Sequence, residues 1–237
     1  MEKEILDLFD KYNQSFKKLI DLQQNDLPRK LRLFNIRLRL AIDIKIDFGG
    51  EVSLTKTKIV KDTYVLLIKL LELWNAYEAL YQYCKEIKGY FLTNERIYKA
   101  YSQNFLTEAG SLNILKESID HLKIKYNDDK NFKSDFKNLI TRIECDERIS
   151  KKLTESWKKI IEYFEENKEI SGIEAIALVY TERNMYYHNG ETAKMGMSYR
   201  NRQFLIKALT TSFCKHMLLL AINIINKELS LVEILKK

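Results

Sequence analysis

Tyr180-Thr181-Glu182-Arg183-Asn184-Met185-Tyr186-Tyr187-His188-Asn189-Gly190 brings an arginine, an amide and a histidine into one short stretch, Arg183-Asn184-x-x-x-His188. These are side chains that could cleave a phosphodiester without a metal ion. A base must take the proton of an attacking 2′-hydroxyl, an acid must protonate the leaving oxygen, and fixed positive charge must sit where phosphate oxygens gain charge. A histidine, here His188, is the side chain suited to proton transfer near neutral pH. Arg183 can clamp a phosphate bidentately, and Asn184 can orient the histidine or a phosphate oxygen. On a helix, residues five apart diverge by about 140°, whereas Asn184 and His188 share a face. One helix is therefore a poor complete site. The plainer reading is electrostatic, since cations in the last turns of a helix favour its negative end and Asn189-Gly190 supplies a left-handed stop.

Other candidates are thinner. Glu78, in Trp74-Asn75-Ala76-Tyr77-Glu78, can act as an acidic helper that orients Arg183 from a neighbouring helix, although Trp74 and Tyr77 at helical spacing read first as core. Glu182 is available as a local ion-pair partner. Lys194, Arg200 and Arg202 flank the motif and can guide an RNA backbone, against the blander reading of a solvated loop and helix start. His216 lies two residues from Cys214, on a different side of a helix, which argues against shared metal ligation. His121 stands alone on a charged helix. No cluster has metal-ligand spacing, so the chemistry is expected to need neither metal nor cofactor.

The elements that must position the motif are helical. Only 7 glycines and 1 proline occur in 237 residues, too few for a sheet of many hairpins. Apolar residues at helical spacing run through residues 2–24, from about Thr55 to Lys88, and over 147–166. Residues 38–48 are ambiguous, because apolar residues alternate as in a strand while Leu27, Leu31, Phe34, Leu38 and Ile42 fit one helical face. A helix through about Asp43 is expected, since a lone strand has no obvious partner. Residues 93–145 are more polar and lysine-rich, with helical patterns around Ile97–Tyr101 and Leu112–Ile124, and Asn127 to Asn131 is loop-like. This stretch is expected to be a helical insertion on the core. Ser171-Gly172-Ile173-Glu174 has the spacing of a capping box, opening a short helix that carries the motif. Ser198 can cap a long final helix. That helix has two apolar stripes, the second through Leu218, Ile222, Ile225 and Leu229, so it is either central or buried against another subunit.

With the motif at the end of a bundle helix, followed by a loop and a long C-terminal helix, the sequence resembles the HEPN family. Its ribonuclease members carry R-x(4–6)-H, often with a polar residue after the arginine, on the third helix of a four-helix bundle. Arg183, Asn184 and His188 match position by position over the last sixty or so residues. The resemblance implies an all-α, HEPN-like up-and-down bundle with additional helices, forming a single domain over 1–237 with N-terminal helices in 1–50 and the motif-bearing helices in 147–229. It also implies a homodimer in which two motifs face each other across a two-fold axis. The implied activity is endonucleolytic hydrolysis of single-stranded RNA in toxin–antitoxin or antiviral defence, with an antitoxin or defence protein as a further partner. The alternatives are a non-catalytic HEPN module that binds RNA, nucleotide or a partner protein, and a helical scaffold. Some HEPN toxins have a tyrosine two residues after the motif histidine where an antitoxin modifies them; here Gly190 stands there and offers no hydroxyl to modify.

Composition is compatible with this reading but does not select it. Forty Lys+Arg against 33 Asp+Glu give a formal charge of +7, which favours a polyanionic partner, although lysine-rich helix faces are commonly just solvated. Cys84, Cys145 and Cys214 are odd in number and widely spaced, which fits reducing surroundings. The acidic start and the lack of a long charge-free apolar run predict a cytoplasmic protein without a membrane segment.

Overall fold

The computed structural model describes residues 2–22, 27–50, 56–86, 111–187 and 194–235. Eight helices account for nearly all of them: α1 (Glu2–Leu22), α2 (Arg29–Asp43), α3 (Lys58–Glu86), α4 (Ser111–Asp128), α5 (Lys130–Cys145), α6 (Lys151–Glu166), α7 (Ile173–Tyr187) and α8 (Tyr199–Leu235). There is no strand among the described residues, so the all-α class expected from the scarcity of glycine and proline holds.

The outer helices bury one stripe each. In α1 the buried side is Phe9, Tyr12, Phe16 and Leu19, and in α2 it is Leu31, Phe34, Leu38 and Ala41. Both follow the three-and-four spacing of an amphipathic helix. α3 and α8 are different, since each buries side chains around most of its circumference. α8 packs against α1, α3, α4 and α7, while α3 packs against α2, α7 and α8. The second stripe of α8 is explained by this central position. Leu218 and Ile225 are fully buried, and Ile222 and Leu229 are partly buried against the same core. The stripe therefore gives no argument for a subunit interface. By length and composition Tyr199–Val232 is also apolar enough to cross a membrane, but 72% of its most apolar window is buried inside the chain.

Two ambiguous segments resolve physically. α2 ends at Asp43, and Ile44 to Gly49 continue without regular structure, with half-buried Ile44, Ile46 and Phe48 alternating with exposed Lys45, Asp47 and Gly49. Both periods in the sequence are thus real, the helical one up to Asp43 and the alternating one beyond it, where the chain is laid on the body without a strand partner. The described part of the 93–145 stretch, expected as a helical insertion on the core, is helical. Leu115, Ile119, Leu122 and Tyr126 of α4 and Phe132, Phe136, Leu139 and Ile143 of α5 are buried in the common core. The expected loop around Asn127 shrinks to one capping residue, Asp129, whose carboxylate accepts from the amides of Asn131 at 2.9 Å and Phe132 at 3.0 Å. The pattern around Ile97–Tyr101 lies outside the described residues.

Candidate functional site

α7 is held at both ends. At its start the Ser171 hydroxyl donates to Glu174 Oε2 at 2.9 Å, and the Ser171 amide donates to the same oxygen at 3.2 Å. Ser171 Oγ accepts from the Ile173 amide at 3.1 Å, so the capping box forms with its amide one residue earlier than the pattern predicts. Gly172 lies tight against α4, where a Cβ would run into the Leu112 carbonyl oxygen and Leu115 Cβ. The body of α7 is buried through Ala175, Ile176, Ala177, Leu178 and Val179. This is a buried helix that delivers its last turn to a fixed place.

Near that last turn, Glu182 and Arg202 form a bidentate ion pair between α7 and the first turn of α8. Arg202 Nη1 donates to Glu182 Oε1 at 2.7 Å, Nη2 donates to Oε2, and both side chains are 0% exposed. The Sδ of Met195 also accepts from Arg202, at 2.8 Å. Arg202, expected to guide RNA, is thus enclosed in the core and cannot reach a nucleic acid. Lys194 and Arg200 are exposed. Ser198 begins α8 as expected, with its Oγ accepting from the Asn201 amide at 3.4 Å, and Asp135 of α5 accepts from the Ser198 amide at 2.9 Å and from Asn201 Nδ2 at 2.7 Å.

The next residue faces elsewhere. Arg183 is half-buried, its Nη1 donates to Asn184 Oδ1 at 2.8 Å, and its guanidinium carbon lies 5.3 Å from the centroid of the Tyr187 ring. That cation–π contact is of the order of 0.5–1 kcal/mol at an exposed site. Tyr187 is 60% exposed and lines a cleft of about 450 Å³ with Lys30 and Arg37 of α2 and Asn75, Glu78 and Gln82 of α3. Arg37 is paired with Glu72 at 2.9 Å while its side chain stays 40% exposed. Glu78 accepts from Trp74 Nε1 of its own helix at 3.1 Å, so it shares the cleft while its hydrogen bond orients Trp74. A second hollow of about 460 Å³, lined by Arg142, Cys145, Arg148 and others, reaches Met185 of the same helix. His188, Asn189 and Gly190 lie outside the described residues.

The arrangement brings together Arg183, Asn184 and Tyr187, sets Glu78 on the cleft that Tyr187 lines, and leaves Arg202 out. Tyr187, Lys30, Arg37, Asn75 and Gln82 were not anticipated. Only the apposition of α2, α3 and the end of α7, separated by over a hundred residues of chain, makes them neighbours. The burial of Glu182 had a local signal, because Leu178, Glu182 and Met185 fall on one helical face, and a carboxylate inside an apolar stripe needs a buried cation.

Among the described residues no group of three histidine, cysteine or acidic side chains could hold a metal ion. His216 is fully buried beside Phe213, at 5.9 Å between ring centroids, and neither ring nitrogen has a hydrogen-bond partner among the described residues. Burial pushes its pKa down to about 3. Burial pushes the Cys214 thiol up to about 12, despite the nearby Lys69, and raises Cys84 further, so both thiols are inert core groups. Compared with family models, with curated proteins and with solved structures, the chain finds no match.

Proposed function

We propose that this chain is a HEPN-like, metal-independent endoribonuclease that acts on single-stranded RNA at the cleft beside the end of α7, completed by a second copy of the chain. The supporting observation is the company Arg183 keeps: an exposed Tyr187 and, around the same cleft, the cations Lys30 and Arg37. An exposed aromatic ring beside basic side chains is the arrangement on which an unpaired base can stack while its phosphate is held. Duplex RNA offers no free base face to such a ring.

In this reading the substrate 2′-oxygen attacks the adjacent phosphorus and the bond from phosphorus to the 5′-oxygen breaks. His188 of one copy accepts the 2′-hydroxyl proton, and the motif of the facing copy supplies the proton that leaves with the 5′-hydroxyl. Arg183 bears the charge that accumulates on the non-bridging oxygens, and Asn184, whose amide oxygen holds the guanidinium, keeps it aimed. The second copy rests on the resemblance, in which two motifs share one site, with no help from α8.

The products test the mechanism. Purified protein should cut an unpaired RNA in EDTA and leave a 2′,3′-cyclic phosphate and a 5′-hydroxyl, and His188→Ala should not. Products with a 3′-hydroxyl, or activity that vanishes with EDTA, would contradict it. Tight RNA binding without any cleavage would establish the non-catalytic module instead.

A further inference from the structure

The outer face of α2 carries a pattern that the core does not use. Leu31, Phe34, Leu38 and Ala41 are buried against the body, yet Leu33, Ile36 and Leu40 are 40%, 60% and 41% exposed. Spaced three and then four apart, these three form a straight apolar seam about two turns long, as the a and d positions of a heptad do. In that register Arg32 and Arg39 occupy the flanking positions on one side, and Lys30 and Arg37 those on the other. Every edge position is basic, and Arg29 continues the seam by one turn. Two of these cations are already held at the surface. Arg37 is tied to Glu72, while Arg39 donates to Asn13 at 2.7 Å and Asn35 at 3.1 Å and lies 5.5 Å from the Phe9 ring centroid. Side chains fixed in advance lose less entropy on binding.

From this we infer that α2 is a docking site for a helix of another protein whose apolar seam is edged by glutamate or aspartate. Charge complementarity selects that occupant. A second copy of α2 would set basic edges against basic edges on both sides, which is the usual device against self-pairing. An anionic membrane would meet an apolar sector only about 60° wide, where an interfacial helix needs a face above about 100°. RNA would satisfy the cations but gain nothing from Leu33, Ile36 and Leu40. Because Lys30, Leu33 and Arg37 also line the cleft, a helix seated on the seam lies along the cleft mouth and blocks it. That second part rests on the proposed nuclease reading; the docking itself does not.

The probe is a three-heptad peptide with leucine and isoleucine in its seam and glutamate at all edge positions, compared with the same peptide bearing lysine. The glutamate peptide should bind the full chain about tenfold or more tighter than the lysine peptide at low salt. Ile36→Asp should cost about tenfold or more with an unchanged melting temperature, and Arg32→Glu with Arg39→Glu should reverse the preference between peptides. Equal binding of the two peptides, or an Ile36→Asp variant that binds as wild type does, overturns the proposal. So does tighter, Ile36-dependent binding to phosphatidylglycerol vesicles or Ile36-dependent self-association in light scattering. Saturating glutamate peptide should also suppress RNA cleavage by wild type and spare Ile36→Asp; cleavage that persists in a peptide-saturated protein overturns the blocking of the cleft. A protein that cleaves no RNA even without peptide counts against the nuclease reading alone, since docking is measured without RNA.

Discussion

Glu182 and Arg183 are consecutive residues of one helix turn with opposite employment. Glu182 is sealed in the core against Arg202, whereas Arg183 leans on an exposed tyrosine at the edge of a cleft. In a run rich in charge and aromatic rings, residue type alone does not separate the group that fixes the helix from the group that can meet a substrate. The direction of each side chain from α7 separates them. The comparison implies that changes at Glu182 and Arg202 act on stability; under the proposed nuclease reading, changes at Arg183 and Tyr187 act on RNA.

The largest effect is expected at the buried pair. Arg202→Ala leaves a carboxylate without its cation inside the core, and chemical denaturation should show a loss of about 3–5 kcal/mol. Replacing both partners with apolar residues of similar size, Glu182→Leu with Arg202→Met, should recover most of that loss. A single variant as stable as wild type would mean that the pair is open to water and would erase the contrast with Arg183.

A second contrast lies between this satisfied pair and His216, which is buried without a hydrogen-bond partner among the described residues. Its folded pKa, about 3 because of burial, lies below the ordinary value of 6.5. Between those values the unfolded chain binds a proton that the folded chain refuses. The stability is complete above about pH 6.5 and falls as pH drops toward 3. From pH 7 to pH 5 the loss should be about 2 kcal/mol. His216→Phe, which keeps a ring against Phe213, should flatten the profile in this interval by the same amount. A wild-type profile already flat there would show that the imidazole reaches water or a partner.

The helices and their starts were legible because they rest on local rules. The spacing of Phe9, Tyr12 and Phe16, the capping pattern at Ser171 and Glu174, and Ser198 before the final helix all operate within a turn or two of chain. Three features were not legible, each for a long-range reason. The lysines of α4 and α5 conceal buried stripes such as Leu115, Ile119 and Leu122, whose role appears only when α8 covers them. Arg202 looks like any basic residue at a helix start until Glu182, twenty residues away, encloses it. The cleft needs α2 and α3 beside the end of α7, so Lys30, Arg37 and Tyr187 share a site that no stretch of sequence contains. The motif itself was visible as a spacing, and of it the structure adds the surroundings of Arg183 and Asn184.

The smallest effect on stability, and the sharpest test of the cleft side of the comparison, is expected at Tyr187. Tyr187→Ala should change folding stability by no more than about 0.5 kcal/mol, yet weaken binding of unpaired RNA roughly tenfold through lost stacking. Tyr187→Phe should bind nearly as wild type does. If both variants lose binding equally, the hydroxyl rather than the ring face makes the contact.

The central claim is tested most directly by the rate at which Arg183→Ala cleaves unpaired RNA in EDTA, relative to wild type, with the melting temperatures of both proteins recorded in the same buffer. The account predicts cleavage reduced to background in a variant whose stability stays within about 1 kcal/mol of wild type. Cleavage at the wild-type rate, with the same cyclic-phosphate products, would remove Arg183 from the chemistry and contradict the account.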